Sequence, residues 1–304
     1  LGGNAFIKQG GCGSVEEQSW QAALVLKNIV KLIADGHKVI ITHGNGFQVG
    51  NIITRSEKAR GYAYEIPFYI ADAQTQGEIG TILQQNLLNE LHRSNINRRT
   101  VTIITHVLVD INDPAFSRPS KPIGNFYSYE EMIKLRKEGE VWVDDSRRGY
   151  RKVVASPQPI DIIEKHIIKE LFEEGTIVIA CGGGGIPLIR KNGNLIGIDC
   201  VIDKDLASSL LAQQVNIDRF VILTGVERVY LNFGKPTQRE LDRVSSCLLK
   251  EYYRDNHFPA GSMGPKILSA LQFLSKNPRG EVIITTFEKL YDAFYSNIGT
   301  HIFA

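Results

Sequence analysis

The sequence contains no run of about 18 apolar residues, so no transmembrane helix and no membrane partner are expected. It also lacks a basic tract. Its 35 Lys and Arg residues are interspersed with 33 Asp and Glu residues, which removes the electrostatic case for a nucleic-acid partner. Cysteine is sparse: Cys12, Cys181, Cys200 and Cys247 form no CxxC pair and have no zinc-like spacing to histidine. They read as reduced thiols of a cytoplasmic protein. No internal repeat with a period of roughly 20–50 residues occurs. Neither the GxxxxGK[ST] phosphate loop nor the GxGxxG dinucleotide fingerprint is present. The histidines are scattered, and His43, His106 and His257 stand as acid–base candidates without a partner at a telling spacing. Ser-His-Asp and Cys-His nucleophilic arrangements are unsupported, and no protein-bound metal is expected.

What is present is an alternation of short apolar strands, glycine-containing turns and helices over 304 residues, 43% of them apolar. That pattern is the α/β signature, in a chain long enough to bury a large core. Leu1-Gly-Gly-Asn-Ala5 reads as the end of a strand-to-helix turn. The chain starts without Met, so most of that strand is expected ahead of Leu1. Helices are expected over 16–35, from within 43–50, and over 69–92, 160–174, 205–214 and 266–274. Strands are expected over 38–42, 99–110, 176–180, 220–224 and 281–285, and Val226 to Asn232 alternates. Between 113 and 159 the texture changes to prolines, aromatics and the basic patch Arg147 to Lys152. This stretch is expected to leave the α/β core as a small protruding subdomain.

The most informative stretch is Gly175-Thr-Ile-Val-Ile-Ala-Cys-Gly-Gly-Gly-Gly-Ile-Pro187. Thr176 to Ala180 reads as a strand buried on both faces, and Gly182 to Gly185 follow at once. Four glycines weaken ordering by about 2–4 kcal/mol relative to alanine, more than a tight turn requires. They point to a large polar group, such as a phosphate, lying against bare backbone. Gly2-Gly3-Asn4 and Gly44-Asn45-Gly46 end two further strands. Loops at the carboxyl ends of strands converge on one crevice in open α/β sheets, and the asparagine amides are expected to add donors there. Asp203-Lys204-Asp205 precedes a helix, where Asp205 reads as a cap or as a carboxylate that orients lysines. Gly261-Ser262-Met263-Gly264-Pro265-Lys266 opens another helix, with Lys266 as a point charge for a phosphoryl group. Lys121 lies in a Pro/Gly-framed loop.

Eight ordered blocks now identify a family. Leu-Gly-Gly-Asn-Ala (1–5), Thr-His-Gly-Asn-Gly-x-Gln-Val-Gly (42–50), Gln-Gly-x-Ile-Gly (76–80) and Asn-Asp-Pro-Ala-Phe…Lys-Pro-Ile-Gly (112–124) are followed by Gly-Gly-Gly-Gly-Ile-Pro (182–187) and Val-Ile-Asp-Lys-Asp-Leu-Ala (201–207). Asn-Phe-Gly-Lys-Pro (232–236) and Asn-His-Phe with Gly-Ser-Met-Gly-Pro-Lys (256–266) complete the set. Over essentially its whole length the chain resembles the carbamate kinases of the amino acid kinase family. The resemblance implies a three-layer αβα sandwich on a mainly parallel sheet with a protruding subdomain, usually as a homodimer. It implies one amino-acid-kinase domain over 1–304, with an acceptor half (about 1–174, protrusion about 113–159) and a nucleotide half (about 175–304).

The activity implied is reversible phosphoryl transfer between ATP and carbamate, giving ADP and carbamoyl phosphate, with Mg²⁺ and in the ATP-forming direction of arginine metabolism. Gly2, Gly3, Asn4, Gly44, Asn45 and Gly46 would hold carbamate. Lys121, Lys204 and Lys266 would neutralise the transferring group, with Asp205 orienting the lysines. Gly182, Gly183, Gly184, Thr224, Val226, Tyr230, Gly261, Ser262, Met263 and Gly264 would bind ATP or ADP. Such chemistry needs positioning and charge more than a general base, which agrees with the scattered histidines. The sequence departs from the family pattern at Phe47 (proline expected), Gln74 (methionine), His106 (glutamine) and Ser146-Arg147-Arg148 (Ala-Gly-Arg). Other readings of the same residues are a kinase of this fold acting on another small carboxylate, and a non-catalytic sensor of nucleotide or carbamoyl phosphate.

Overall fold

The computed structural model describes residues 1–3, 6–7, 11–136, 139–144, 149–259 and 262–304. Helix α1 (Val15–Ala34) starts where the Ser14 hydroxyl accepts the Glu17 N–H at 3.3 Å, with Glu16 and Glu17 in its first turn. After β1 (Ile40–Ile41) the chain turns directly into α2 (Gly46–Lys58), and Pro67 precedes the long α3 (Phe68–Arg93). The single strand expected over 99–110 is two: β2 (Thr100–Thr102) and β3 (His106–Val109), which join different sheets. The break has a cause. The Gln76 amide accepts the Thr105 N–H at 2.8 Å, which takes that donor out of any ladder, and donates to the Thr105 carbonyl at 3.1 Å, which also accepts the Ile186 N–H at 2.9 Å.

The excursion forms its own antiparallel sheet of β4 (Lys121–Tyr127), β5 (Val141–Asp144) and β6 (Tyr150–Val154), ordered β4-β6-β5, with helix α4 (Tyr129–Leu135). The helix expected from 160 begins later. Pro159–Ile162 is strand β7, pairing antiparallel with β3 so that Ile162 reaches the core, and α5 is Lys165–Glu173. Strand β8 (Ile177–Ile179) lies between β1 and β2, parallel to both. Strands β9 (Ile186–Lys191) and β10 (Asn194–Gly197) form a hairpin beside β3 that the sequence reading did not anticipate.

Helix α6 (Lys204–Val215) leads to β11 (Arg219–Leu223) and the hairpin β12 (Val229–Leu231) and β13 (Arg239–Leu241). Strand β14 (Arg243–Ser245), α7 (Ser246–Arg254), α8 (Met263–Lys276), β15 (Glu281–Thr285), α9 (Leu290–Tyr295) and β16 (Thr300–Phe303) complete the chain. The last sheet is ordered β11-β15-β16-β14, with β11 parallel to β15.

The layering follows from alternation along the strands. Ile177 and Ile179 pack with Leu26 of α1 and Leu83 of α3, whereas Val178 and Ala180 pack with Ile168 of α5 and Leu211 of α6. A strand apolar on both faces requires helices on both, which yields the αβα sandwich. A third cluster joins α8 to β11 and β15 through Phe273, Phe220 and Val282. Between the edges of β1 and β11 lies a cavity of about 590 Å³, and Leu1, Ile41, Val221 and Leu223 are among its lining residues. Among the described residues no helix is long and apolar enough to cross a membrane.

Candidate active site

The site is assembled at the start of α6. The Asp203 carboxylate caps that helix, accepting the Asp205 N–H at 2.9 Å. The cap places Lys204 and Asp205 in the first turn. Lys204 Nζ donates to Asp205 Oδ1 at 2.6 Å, and Lys266 Nζ, from the first turn of α8, donates to Oδ2 at 3.1 Å. The two helices are locked together below, where the Ser209 hydroxyl donates to the Ser269 carbonyl at 2.8 Å. Burial alone would raise the Asp205 carboxyl, but the two ammonium groups outweigh it and hold it well below the usual carboxylate range. The second oxygen of Asp203 accepts from Lys121 Nζ at 2.9 Å, at the start of β4. Three lysines from three elements thus meet through two aspartates, beside a cavity of about 330 Å³ that all five line. The sequence reading left Asp203 without a role. Its signal was an aspartate immediately before a helix.

The strand-end loop after β1 forms another wall. A Cβ on Gly44 would lie 3.0 Å from Lys204 Cδ, so glycine there lets the lysine stem pass. Asn45 donates one amide hydrogen to Asp72 and the other to Thr75 Oγ1 at 2.8 Å. This corrects the expectation of an asparagine donor at Asn45: both its N–H groups are engaged within the protein, and its carbonyl oxygen is what remains to offer. Gly3, Gly44, Asn45 and Gly46 line the cavity, whereas Gly2 lies near the Leu223 carbonyl, 3.5 Å from where a Cβ would be. Asn4 and Gly261 lie outside the described residues, as does Arg147. Phe47, 39% exposed, lines the cavity, and its ring occupies the space in which a Cβ on Gly13 would stand.

The glycine loop is packed more tightly than a phosphate nest requires. A Cβ on Gly182 would come within 2.5 Å of the His43 ring, on Gly183 within 2.3 Å of Asn45 Nδ2, on Gly184 within 2.2 Å of the Ile202 carbonyl oxygen, and on Gly185 within 2.2 Å of Val107. Gly183, Gly184 and Gly185 all have positive φ. The glycines therefore let the loop after β1, α3 and the segment before α6 close on one another. Gly183 lines the cavity; Gly182 and Gly184 are buried behind it. His43 is buried there, and burial pulls its pKa down to about 4, so it is neutral near pH 7. His106 faces Glu164 at 2.7 Å and His257 faces Asn232 at 3.1 Å, and neither lines the cavity.

The remaining candidates sit in the C-terminal part. Thr224 follows β11, its N–H donating to the Thr285 carbonyl at 2.9 Å. Val226 is half-buried in the next turn, and Tyr230, in β12, packs on Phe233 with ring centroids 5.8 Å apart. Met263 packs against the α8 core, and the Gly264 N–H donates to the Pro259 carbonyl at 2.8 Å. Ser262 stands at the N-cap position of α8, makes no side-chain cap, and lines the cavity with Lys266. Of the first three residues of α8, Gly264 has its N–H engaged and Pro265 has none, which leaves the Met263 N–H at the helix N-terminus beside the three lysines, a place suited to an anion.

Two residues the sequence reading missed also line the cavity, Asp72 and Arg151. Arg151, on β6, donates to the Gly124 and Pro122 carbonyls at 3.2 and 3.3 Å. Asp72 is 5% exposed, and burial pushes its carboxyl up to about 7 against the opposing hydrogen bond from Asn45. A signal for it existed. Asp72 falls at helical spacing with Phe68, Thr75, Ile79 and Leu83, all on the buried face of α3.

A model of the amino acid kinase family matches residues 1–285. The chain is 46% identical to a carbamate kinase of Staphylococcus haemolyticus, over 99% of this chain and 96% of that protein. It is 44% identical to a carbamate kinase of Thermococcus kodakarensis, over 99% and 97%. Its fold superposes on the carbamate kinase of Giardia lamblia bound to AMP-PNP with a TM-score of 0.94 at 38% identity, covering 100% of this chain and 96% of that one.

Proposed function

The chain belongs to the amino acid kinase family, among its carbamate kinases, and from that premise we propose that it transfers a phosphoryl group between ATP and carbamate. The observation that carries the reading is the cluster of Lys121, Lys204 and Lys266 held by Asp203 and Asp205 around one cavity. In the ATP-forming direction an oxygen of the ADP β-phosphate attacks the phosphorus of carbamoyl phosphate. The bond from phosphorus to the carbamate oxygen breaks, and its electron pair leaves with carbamate. Charge spreads over the three equatorial oxygens of the transferring group, where Lys204 and Lys266 neutralise it. Asp205 keeps both ammonium groups in place and charged. Lys121 enters from β4, and Gly3, Gly44 and Gly46 bound the acceptor.

The nucleotide side is assigned to Thr224, Val226, Tyr230, Ser262, Met263 and Gly264, with Gly183 at the junction. Among the described residues no three His, Cys, Asp or Glu side chains cluster as a metal site. Mg²⁺ would enter with the nucleotide phosphates, where it would supply further charge neutralisation. A homodimer in the cytoplasm serving arginine metabolism belongs to the same proposal, as does the division into an acceptor half (1–174), its protrusion (113–159) and a nucleotide half (175–304). The decisive experiment is ATP formation from ADP, Mg²⁺ and carbamoyl phosphate by the purified protein. Robust turnover is expected. Binding of both ligands without ATP formation would instead indicate a sensor, and turnover with a different acyl phosphate alone would indicate a sister kinase.

A further inference from the structure

We propose that Asp72 reads the amino group of the acceptor, selecting carbamate over carboxylates of the same shape that carry a methyl group in its place. The inference rests on the kinase reading above and adds the residue that distinguishes the two ends of the substrate. Carbamate and acetate present the same carboxylate to a cluster of lysines. They differ in that one offers N–H donors and the other a methyl, so only a hydrogen-bond acceptor can tell them apart.

Two acceptors line the cavity at the acceptor loop. One is the carbonyl oxygen of Asn45, left over because both its N–H groups are engaged by Asp72 and Thr75. The other is the Asp72 carboxyl, which lines the same cavity. Asp72 is 5% exposed and, among the described residues, forms no ion pair. A buried carboxyl without a cation is unfavourable as mere packing, since an apolar side chain would fill this place in the second turn of α3 at lower cost. Its surroundings are nonetheless built to admit it: Gly183 has no side chain at the point where a Cβ would lie 2.5 Å from Asp72 Oδ1. Asn45, itself 8% exposed, is fixed by the same carboxyl, so the two acceptors form one unit.

The test compares ATP formation from ADP with carbamoyl phosphate and with acetyl phosphate, for the native protein, Asp72→Asn and Asp72→Ala. Asp72→Asn keeps the size and can still accept from Asn45, but turns an N–H donor toward the cavity. The ratio of kcat/KM for carbamoyl phosphate to that for acetyl phosphate is expected to fall about 10- to 100-fold in both variants, the range for losing a hydrogen bond to a charged group. Rates with acetyl phosphate should stay within about threefold of native in Asp72→Asn, which still accepts from Asn45, and fall further in Asp72→Ala, which does not. A parallel fall with both substrates in the isosteric Asp72→Asn protein would mark a structural role and overturn the inference, as would an unchanged ratio. A native protein inactive with carbamoyl phosphate would overturn the kinase reading and this inference together, whereas an active native protein with an unaltered variant ratio would overturn the inference alone.

Discussion

At the scale of single residues, the site is a balance between buried charges. Asp205 is ionised because Lys204 and Lys266 each hold one of its oxygens. Replacing Lys266 with methionine removes a charge that the proposed reaction places beside the transferring group, while leaving Asp205 one partner. We expect kcat to fall about 10²–10³-fold, with a loss of only about 1–2 kcal/mol in urea unfolding. Loss of fold in place of activity would assign Lys266 to structure. Asp72 titrates in the opposite sense. Its folded pKa lies near 7, above the 3.8 of an ordinary carboxyl, because it is buried. Stability from its protonated form is complete below pH 4 and is lost as the pH rises toward 7, since the unfolded chain ionises first. The groups facing it are Asn45, Thr75 and Gly183, with His43 neutral nearby, and the cavity also bears Lys121, Arg151, Asp203, Lys204, Asp205 and Lys266. The difference in urea midpoint between the native protein and Asp72→Asn should decline from pH 4 to 8, because buried His43, which loses stability as the pH falls below 6.5, contributes alike to both proteins.

At the scale of elements, the helix starts do the positioning. Asp203 both caps α6 and pairs with Lys121 from the excursion sheet. Asparagine caps a helix as well as aspartate does but carries no charge. Asp203→Asn is therefore expected to melt near the native temperature while kcat/KM drops about tenfold through the freed Lys121. Asp203→Ala should lose about 1 kcal/mol in addition. A melting point for Asp203→Asn as low as that for Asp203→Ala would contradict this division. The glycine loop is the other decisive element. Gly184 has φ 103° and lies beneath the Ile202 carbonyl, which is backbone and cannot step aside. Gly184→Ala should destabilise by roughly 2–4 kcal/mol, from backbone strain and overpacking together, as read by chemical denaturation. Native-like stability would mean the loop relaxes freely.

At the scale of the whole molecule, the sheets share their cores. Leu223 of β11 belongs to the cluster beneath α1 and α3, while Phe220 and Ile222 of the same strand belong to the cluster beneath α8. In α6, Leu211 faces one cluster and Ala212 the next. Calorimetry is accordingly expected to show one cooperative transition, and two resolved transitions would mean that the regions carrying these clusters fold independently. Much of this was legible in the sequence, because strand and helix periods report burial directly: Thr176 to Ala180 reads as a strand covered on both faces, and it is. The three lysines and Asp205 were legible from their loops and from eight ordered blocks, and these led to the family. The interrupted strand at Thr105 was not, since it depends on the Gln76 amide from another element. Nor was the use of the four glycines. Their number announced a close approach, but only the folded chain shows that most of the approaching atoms are its own: His43, Asn45, Ile202 and Val107. Sequence by itself thus determined the α/β alternation, the lysines that meet at the cavity and the family, because period, composition and local motif act within a few residues. Tertiary structure alone decided which polar groups of the site still have hydrogen bonds to give. That depends on partners tens of residues apart, as when Asp72 and Thr75 take both hydrogens of Asn45.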